Sequence, residues 1–382
     1  MKTTLLLTLA ILFCAGMLCA AKYVDPLNGS DANAGTIAAP WRTLKNIHLL
    51  DDTVYISNSA VCYFGDSLDR NPINVLLRPW GDGVPTIIVS NTTVGTPAAA
   101  IFMNSVSILS QLRMYKLKWT FAADFTRRLI IPRNNFNKKV IVENCEFDFT
   151  GVSGAGSVIY VQDCTNVEVR IWSNLIYRLS TSVNRYFVEE SGTGSINLDM
   201  RYNRFYDFGT ANGVLFSAHP LSSAIIANNT AWSGNYLCYL NNGTVAAGFT
   251  NINNVVDYEK DPTNRKWFRC QTVPGLQSFC DFNVSGDTLA YTFANTINGA
   301  NNQAGLTDAQ INFKNTTDVA NAEFLKTGAG SAAESSAAAS VYPDLNLPDY
   351  AGWAPSVPVP EPATALLACG SLLSLYLRKL RY

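Results

Sequence analysis

Val142-Glu143-Asn144-Cys145-Glu146-Phe147, Trp172-Ser173-Asn174-Leu175-Ile176-Tyr177, Arg201-Tyr202-Asn203-Arg204-Phe205-Tyr206, Ala227-Asn228-Asn229-Thr230-Ala231-Trp232 and Ile252-Asn253-Asn254-Val255-Val256-Asp257 share one phrase. Each runs through an Asn to a large side chain, and taken Asn to Asn (144, 174, 203, 229, 254) the steps are 30, 29, 26 and 25 residues. Self-similarity at this period is the mark of a stacked repeat. Short β-prone runs flank the copies (Val140-Ile141-Val142, Val167 to Ile171, Ala224-Ile225-Ile226), and no amphipathic stretch long enough for a helical repeat lies between them. The expectation is an all-β parallel β-helix, a solenoid whose coils lie about 4.8 Å apart along the axis. One coil cannot bury its apolar face, but a stack can. Asn suits a recurring corner because it tolerates a left-handed backbone and its amide can bond to the Asn above and below.

The 382 residues are 48% hydrophobic and 11% aromatic, enough for a large core in one elongated domain or two compact ones. Charged residues make up only 15%, against about 25% in an ordinary soluble chain, so Asn, Thr and Ser should cover the surface. The formal charge is −1, and it falls to −4 once Lys2, Glu361, Arg378, Lys379 and Arg381 in the two ends are set aside. This balance argues against nucleic acid as a partner. Lys2, the apolar run Leu5 to Leu18 and the small residues Cys19-Ala20-Ala21 have the form of a secretory signal peptide over residues 1–21, with cleavage by signal peptidase after Ala21. Cys62, Cys145, Cys164, Cys238, Cys270 and Cys280 then remain in the body of an exported chain. Cys270 with Cys280 is the pairing best placed for a disulfide, across a hairpin through Pro274-Gly275, and buried free thiols are the alternative for the others. No pair has zinc or redox spacing, so neither metal nor cofactor is expected.

From residue 22 the chain reads Lys22-Tyr-Val-Asp-Pro-Leu-Asn-Gly29-Ser-Asp31, a Gly35-Thr36 step, then Pro40-Trp41-Arg42-Thr43-Leu44. This opening resembles the N-terminal cap of the right-handed parallel β-helix superfamily that includes pectate-lyase-like proteins. The resemblance implies a strand, a Gly/Asn/Asp loop and a short helix over residues 22–50, covering the first coil. Thr53 to Ile56, after Asp51-Asp52, looks like the first coil strand, and coils of 25 to 30 residues over 51–257 would number about eight or nine, a rod of about 40 Å. Residues 258–327 read as terminal coils with an insertion and a C-terminal cover, in which Asp318 to Leu325 is similar to the segment that closes the last coil in that superfamily. The Gly/Ala/Ser run from Gly328 to Ser340 and the prolines that follow it read as an extended, flexible linker over 328–358.

The tail runs Val359-Pro360-Glu361-Pro362-Ala363-Thr364, an apolar span Ala365 to Leu377, then Arg378, Lys379 and Arg381. A motif, a hydrophobic span and a basic end make a transmembrane stop with the basic cluster cytoplasmic. The arrangement resembles the PEP-CTERM sorting signal of bacterial exported proteins. That resemblance implies recognition of Pro360-Glu361-Pro362 by the membrane enzyme exosortase and a transient stay in the inner membrane. It also implies release or attachment of the body at the surface of a cell that makes exopolysaccharide.

Parallel β-helices often carry polysaccharide chemistry, and the sequence offers little of it. Glu146 and Asp148 lie two apart in an expected strand, hence on one face about 6.7 Å apart, within the range two glycosidase carboxyls need. A solvated strand edge explains the pair as well. His48 and His219 lie in no catalytic motif, and the Arg127-Arg128 and Lys138-Lys139 pairs have no Asp cluster for calcium. Trp172, Tyr177, Tyr206 and Trp232 fall at matching places in successive copies and would make a sugar-stacking ladder if they point outward; inward, they fill the core or stack on each other. The leading expectation is a non-enzymatic surface or matrix protein touching polysaccharide, with a lyase or hydrolase of acidic polysaccharide and an adhesin as the alternatives.

Overall fold

The structure, a computed structural model, describes residues 21–49, 53–64, 74–90, 99–103, 111–123, 125–126, 128–133, 137–152, 157–178, 186–192, 195–217, 222–240, 249–259, 267–270, 278–286, 292–293, 296–298, 301–334, 338, 344, 348 and 350–353. Residues 1–20, the span 354–382 with Val359, Pro360, Glu361, Pro362, Arg378, Lys379 and Arg381, and His219 lie outside these. Among the described residues no helix is long and apolar enough to cross a membrane.

The chain forms an all-β parallel solenoid of the right-handed type, with strands on three faces. The first face is one sheet of eleven strands, from Lys22–Val24 through Thr53–Ile56, Asn74–Pro79, Gln111–Tyr115, Lys139–Glu143, Thr165–Trp172 and Ser195–Arg201 to Thr296–Asn298. Ten inter-strand steps of about 4.8 Å make that stack ~48 Å long. The second face carries Thr86–Val89, Lys118–Phe121, Glu146–Asp148 and Leu175–Tyr177, and the third carries Arg128–Pro132, Ile159–Gln162 and Tyr186–Ser191. Two long strands, Arg204–Ser217 and Thr230–Leu240, run through both of these faces and merge them into a single sheet.

Period-2 alternation sets inside from outside. On the second face Ile87, Trp119, Phe147, Ile176, Phe205, Ala231 and Val256 stand at one register position in successive coils, all fully buried. Burial of such a column at about 25 cal/mol per Å² drives the stacking. Cys62, Cys145, Cys164 and Cys238 are buried in the core.

The corner between first and second faces splits between two residues the roles expected of one Asn. Lys116, Asn144, Ser173, Tyr202, Asn228, Asn253 and Phe282 hold φ of 53° to 61°, the left-handed turn itself. The next residue forms the ladder: the side-chain oxygens of Asn203, Asn229, Asn254, Asn283 and Asn302 each accept from the backbone N–H and the Nδ2 of the Asn one coil earlier, at 2.9–3.0 Å. Asn144 therefore belongs to the turn and not to the ladder. Glu143 pairs with Trp172, which sets Cys145 opposite Asn174, and the first true step is 29 residues rather than 30. The ladder also continues through Asn283 and Asn302, past the point where the sequence pattern fades.

The first strand is sealed on its outer edge. Tyr23 N–H donates to Gly35 O, and Trp41 N–H donates to Tyr23 O. The buried Trp41 ring sits 2.5 Å from where a Cβ on Gly35 (φ +72°) would stand, so this position needs Gly. Asp31 accepts from the amides of Arg42 and Thr43 and from the Thr43 hydroxyl, starting the 3-10 helix Leu44–Leu49, whose Leu44 and Ile47 cover the core.

Two expectations are corrected beyond residue 257. Cys270 and Cys280 do not flank a hairpin: Phe268–Cys270 pairs in parallel with the third-face strand Thr230–Leu240, and Ser278–Asp281 pairs in parallel with the first-face strand Phe249–Ile252. Their side chains lie outside the description, so the disulfide does too. The described part of 328–353 is no free linker, because it is strapped to the coils. Ala333, Ala338 and Ala351 are buried, and Ser331 donates to Ile311 O. Asn228 and Asn253 donate to the Tyr350 carbonyl. Small side chains allow close packing here, where the sequence suggested only mobility.

Candidate functional site

Two outward surfaces hold the residues singled out by sequence. On the second face, Lys118, Glu146, Leu175, Arg204 and Thr230 occupy one register position in successive coils. Two residues on, Thr120, Asp148, Tyr177, Tyr206 and Trp232 occupy the next. Glu146 and Asp148 do share a face, and both meet Lys118 Nζ, at 2.6 and 3.9 Å. Tyr177 Oη donates to Glu146 Oε1 at 2.6 Å, so that oxygen already serves two donors of its own chain. Asp148 accepts from the Thr150 amide and hydroxyl. Burial, reinforced by the Glu146 carboxylate, pushes the Tyr177 phenol well above its ordinary value. Arg204 is driven down to about 10 by burial, with the charge of Glu146 opposing. Its guanidinium stacks on Trp353 at 3.9 Å and donates to Phe324 O. Lys118, Glu146, Asp148 and Tyr177 are thus paired with one another, while Arg204 Nε is buried with no hydrogen-bond partner among the described residues.

The aromatic ladder behaves likewise. Tyr206 and Trp232 point outward and stack on each other, with centroids 5.2 Å apart and planes within 5°. Phe324 then meets Tyr206 edge-on at 5.1 Å, and Leu325 and Val319 pack over Tyr177, Tyr206 and Trp232. Asp318 to Leu325 therefore covers the flank of the rod, where the rings offer an apolar platform.

Trp172 lies on the first face, in a row of side chains that the sequence did not reveal. Tyr23, Tyr55, Arg78, Tyr115, Glu143, Trp172 and Arg201 stand in one row on adjacent strands next to the corner, with Glu143 buried. Tyr23 stacks on Tyr55 at 5.3 Å, and Arg78 lies 5.5 Å from the Tyr55 ring and 5.9 Å from the Tyr115 ring. Trp172 sits between Arg170 at 4.7 Å and Arg201 at 5.7 Å. Beside this row stand Arg113, Ile141, Arg170 and Asp199. Arg113 pairs with the buried Glu143 at 2.5 Å, Arg201 with Asp199 at 2.6 Å and Lys139 with Glu168 at 2.7 Å. Arg78 makes no ion pair with any described residue. The row is invisible in sequence because its members are 23 to 37 residues apart and of mixed type; only the register aligns them.

Among the described residues no group of three or more His, Cys, Asp or Glu could hold a metal ion. No family model matches the chain, and no curated protein matches it.

Proposed function

We propose that this is an exported β-helix protein of a bacterial cell surface or extracellular matrix, which touches polysaccharide without turning it over. The observation that carries the non-catalytic reading is the state of Glu146: Lys118 and Tyr177 both bind its Oε1 at 2.6 Å, and Phe324 roofs the adjoining rings. The export reading rests on the sequence, on the signal-peptide form of residues 1–21 and on the ordered motif, span and basic end of 359–382, which resembles a PEP-CTERM signal. In this reading signal peptidase cuts after Ala21. Arg378, Lys379 and Arg381 hold the tail at the inner membrane until exosortase acts at Val359, Pro360, Glu361 and Pro362. The body then stays with the envelope or leaves the cell.

The test replaces Pro360-Glu361-Pro362 by three alanines in a host that carries an exosortase and follows size and location by fractionation. An uncut, membrane-held chain supports the reading; processing identical to the parent refutes it. Because Glu146 and Asp148 share Lys118, the purified chain is also assayed for unsaturated-uronate and reducing-sugar release from acidic glycans. Turnover that Glu146→Gln abolishes would replace the scaffold reading with an enzyme.

A further inference from the structure

We infer that Lys118 and Asp148 join in an internal amide, made by the chain itself, that closes one coil into a covalent ring. The inference goes beyond the surface-protein reading and depends on neither export nor any glycan. The two residues stand on neighbouring second-face strands, where parallel pairing sets Lys118 opposite Glu146 and brings Nζ to 3.9 Å from Asp148 Oδ2. Reactants fixed near contact in good alignment reach effective molarities of about 10⁵ M or more, the term that opposes hydration of the separate ions.

The groups around the pair fit the steps of amide formation. Glu146 Oε1 accepts from Lys118 Nζ at 2.6 Å, which places a base on the nucleophile. Asp148 Oδ1 accepts from the Thr150 amide at 2.9 Å and from its hydroxyl at 2.5 Å, and Arg178 donates to that hydroxyl oxygen at 2.9 Å. These donors polarise the carboxyl and stabilise the charge that gathers on Oδ1 as the amine adds, leaving Oδ2, on the lysine side, to depart. Tyr177 Oη lies 3.2 Å from Nζ and donates to Glu146 Oε1. Burial, with the Glu146 and Asp148 carboxylates behind it, keeps that phenol protonated and hence a donor. The Asp148 side chain is only 18% exposed, and Phe324 and Leu325 pack in one cluster with Tyr177, which limits water at the site.

One Nζ proton passes through Glu146 to Asp148 Oδ2, giving an amine beside a neutral carboxyl. The nitrogen lone pair then forms the C–N bond at Cγ. A second Nζ proton follows the same route as the Cγ–Oδ2 bond breaks with its electron pair on oxygen. Water leaves, one N–H stays, Glu146 is restored, and the step needs no co-reactant. Glu146 is the relay and not the acyl partner because its Oε1 receives the lysine proton, whereas Asp148 Oδ1 is turned onto Thr150.

Intact-mass spectrometry of the purified chain, followed by tandem spectra of its tryptic peptides, reads the bond directly. The expected mass is one water below that of the sequence between its observed ends, with the loss located in a branched peptide joining Lys118 to Asp148. Lys118→Arg keeps a cation beside both carboxylates and should restore the full mass. The parent should also melt several degrees above this variant, because the ring restricts its unfolded chain. Glu146→Gln should slow linkage about a hundredfold, seen as unlinked chain in freshly made protein whose circular dichroism matches the parent. Lys118 and Asp148 found in linear peptides would overturn the inference, as would a water loss located elsewhere. A branch from Lys118 to Glu146 would overturn the assigned roles. The bond present in a chain that fails the sorting test would uphold the inference and sink the sorting reading alone.

Discussion

Asn229→Ala tests the ladder at its middle. The Asn229 side chain makes four hydrogen bonds: Oδ1 accepts from the Asn203 backbone N–H and Nδ2, and its own Nδ2 donates to Met200 O and Asn254 Oδ1. Asn203 Nδ2 keeps its bond to Ile171 O, and Asn254 Oδ1 keeps the Asn229 N–H. The Asn203 N–H keeps nothing, and Asn203 is fully buried. An orphaned buried amide costs about 1–3 kcal/mol and the remaining bonds about 0.5–1.5 kcal/mol each, a total of ~4 kcal/mol. At roughly 2–4 °C per kcal/mol for a chain of this class, the midpoint of thermal unfolding should fall by ~10 °C. The matched comparison is Asn144→Ala, which loses no side-chain ladder bond and meets only the left-handed backbone cost of about 1 kcal/mol. Far-UV circular dichroism melts of both variants provide the assay. Equal shifts, or an Asn229→Ala shift as small as that of Asn144→Ala, would refute the division of labour between turn and ladder.

Asn144→Gly should leave stability level or raised, whereas Asn174→Gly should cost several kcal/mol, as read from denaturant midpoints. Phe324→Ala removes a fully buried ring from the Tyr206–Trp232 stack at about 3–5 kcal/mol, and limited proteolysis should then cut within 313–327 while the coil spectrum survives. The Tyr177 phenol is raised in the folded state, so its stabilising contribution is fully present below its ordinary value of 10.0 and is lost as pH climbs above it. Tyr177→Phe should therefore flatten the decline in stability above pH ~10, measured by urea unfolding across that range. Burial pushes the Cys62 and Cys145 thiols up to about 12; alkylation mapped by mass spectrometry at neutral pH should miss both in the native protein and label both after unfolding.

The parallel stack was legible because its cause is local and repeated: an apolar alternation and a corner Asn every 25 to 30 residues. The opening segment was read through a resemblance and not from a period; in the fold Gly35, Trp41 and Asp31 each meet a backbone constraint there. The one-residue misplacement at Asn144 arose because Asn serves both corner positions, left-handed at 144 and hydrogen-bonding at 174, and composition cannot separate the two roles. Contacts between distant segments were not legible. Nothing in Phe324 or Trp353 announces that they close over Tyr206 and Arg204, because a flank contact has no period. Lys118 could have been found, since it stands 28 residues before Glu146 at one coil's distance with opposite charge. Arg78 could not, because its meaning comes from Tyr55 and Tyr115 on the neighbouring coils.

The stacking itself is tested most directly by distances along one outward row. Asn74, Gln111, Lys139, Glu168, Asn197 and Ser223 are successive register partners on the first face. Spin labels at Cys substitutions of Asn74 and of each later position in turn, read by pulsed dipolar spectroscopy, should give separations that grow by about 4.8 Å per coil and reach ~24 Å at Ser223. Separations that alternate, or that fail to increase in chain order, would mean antiparallel or sandwich packing and would contradict the solenoid.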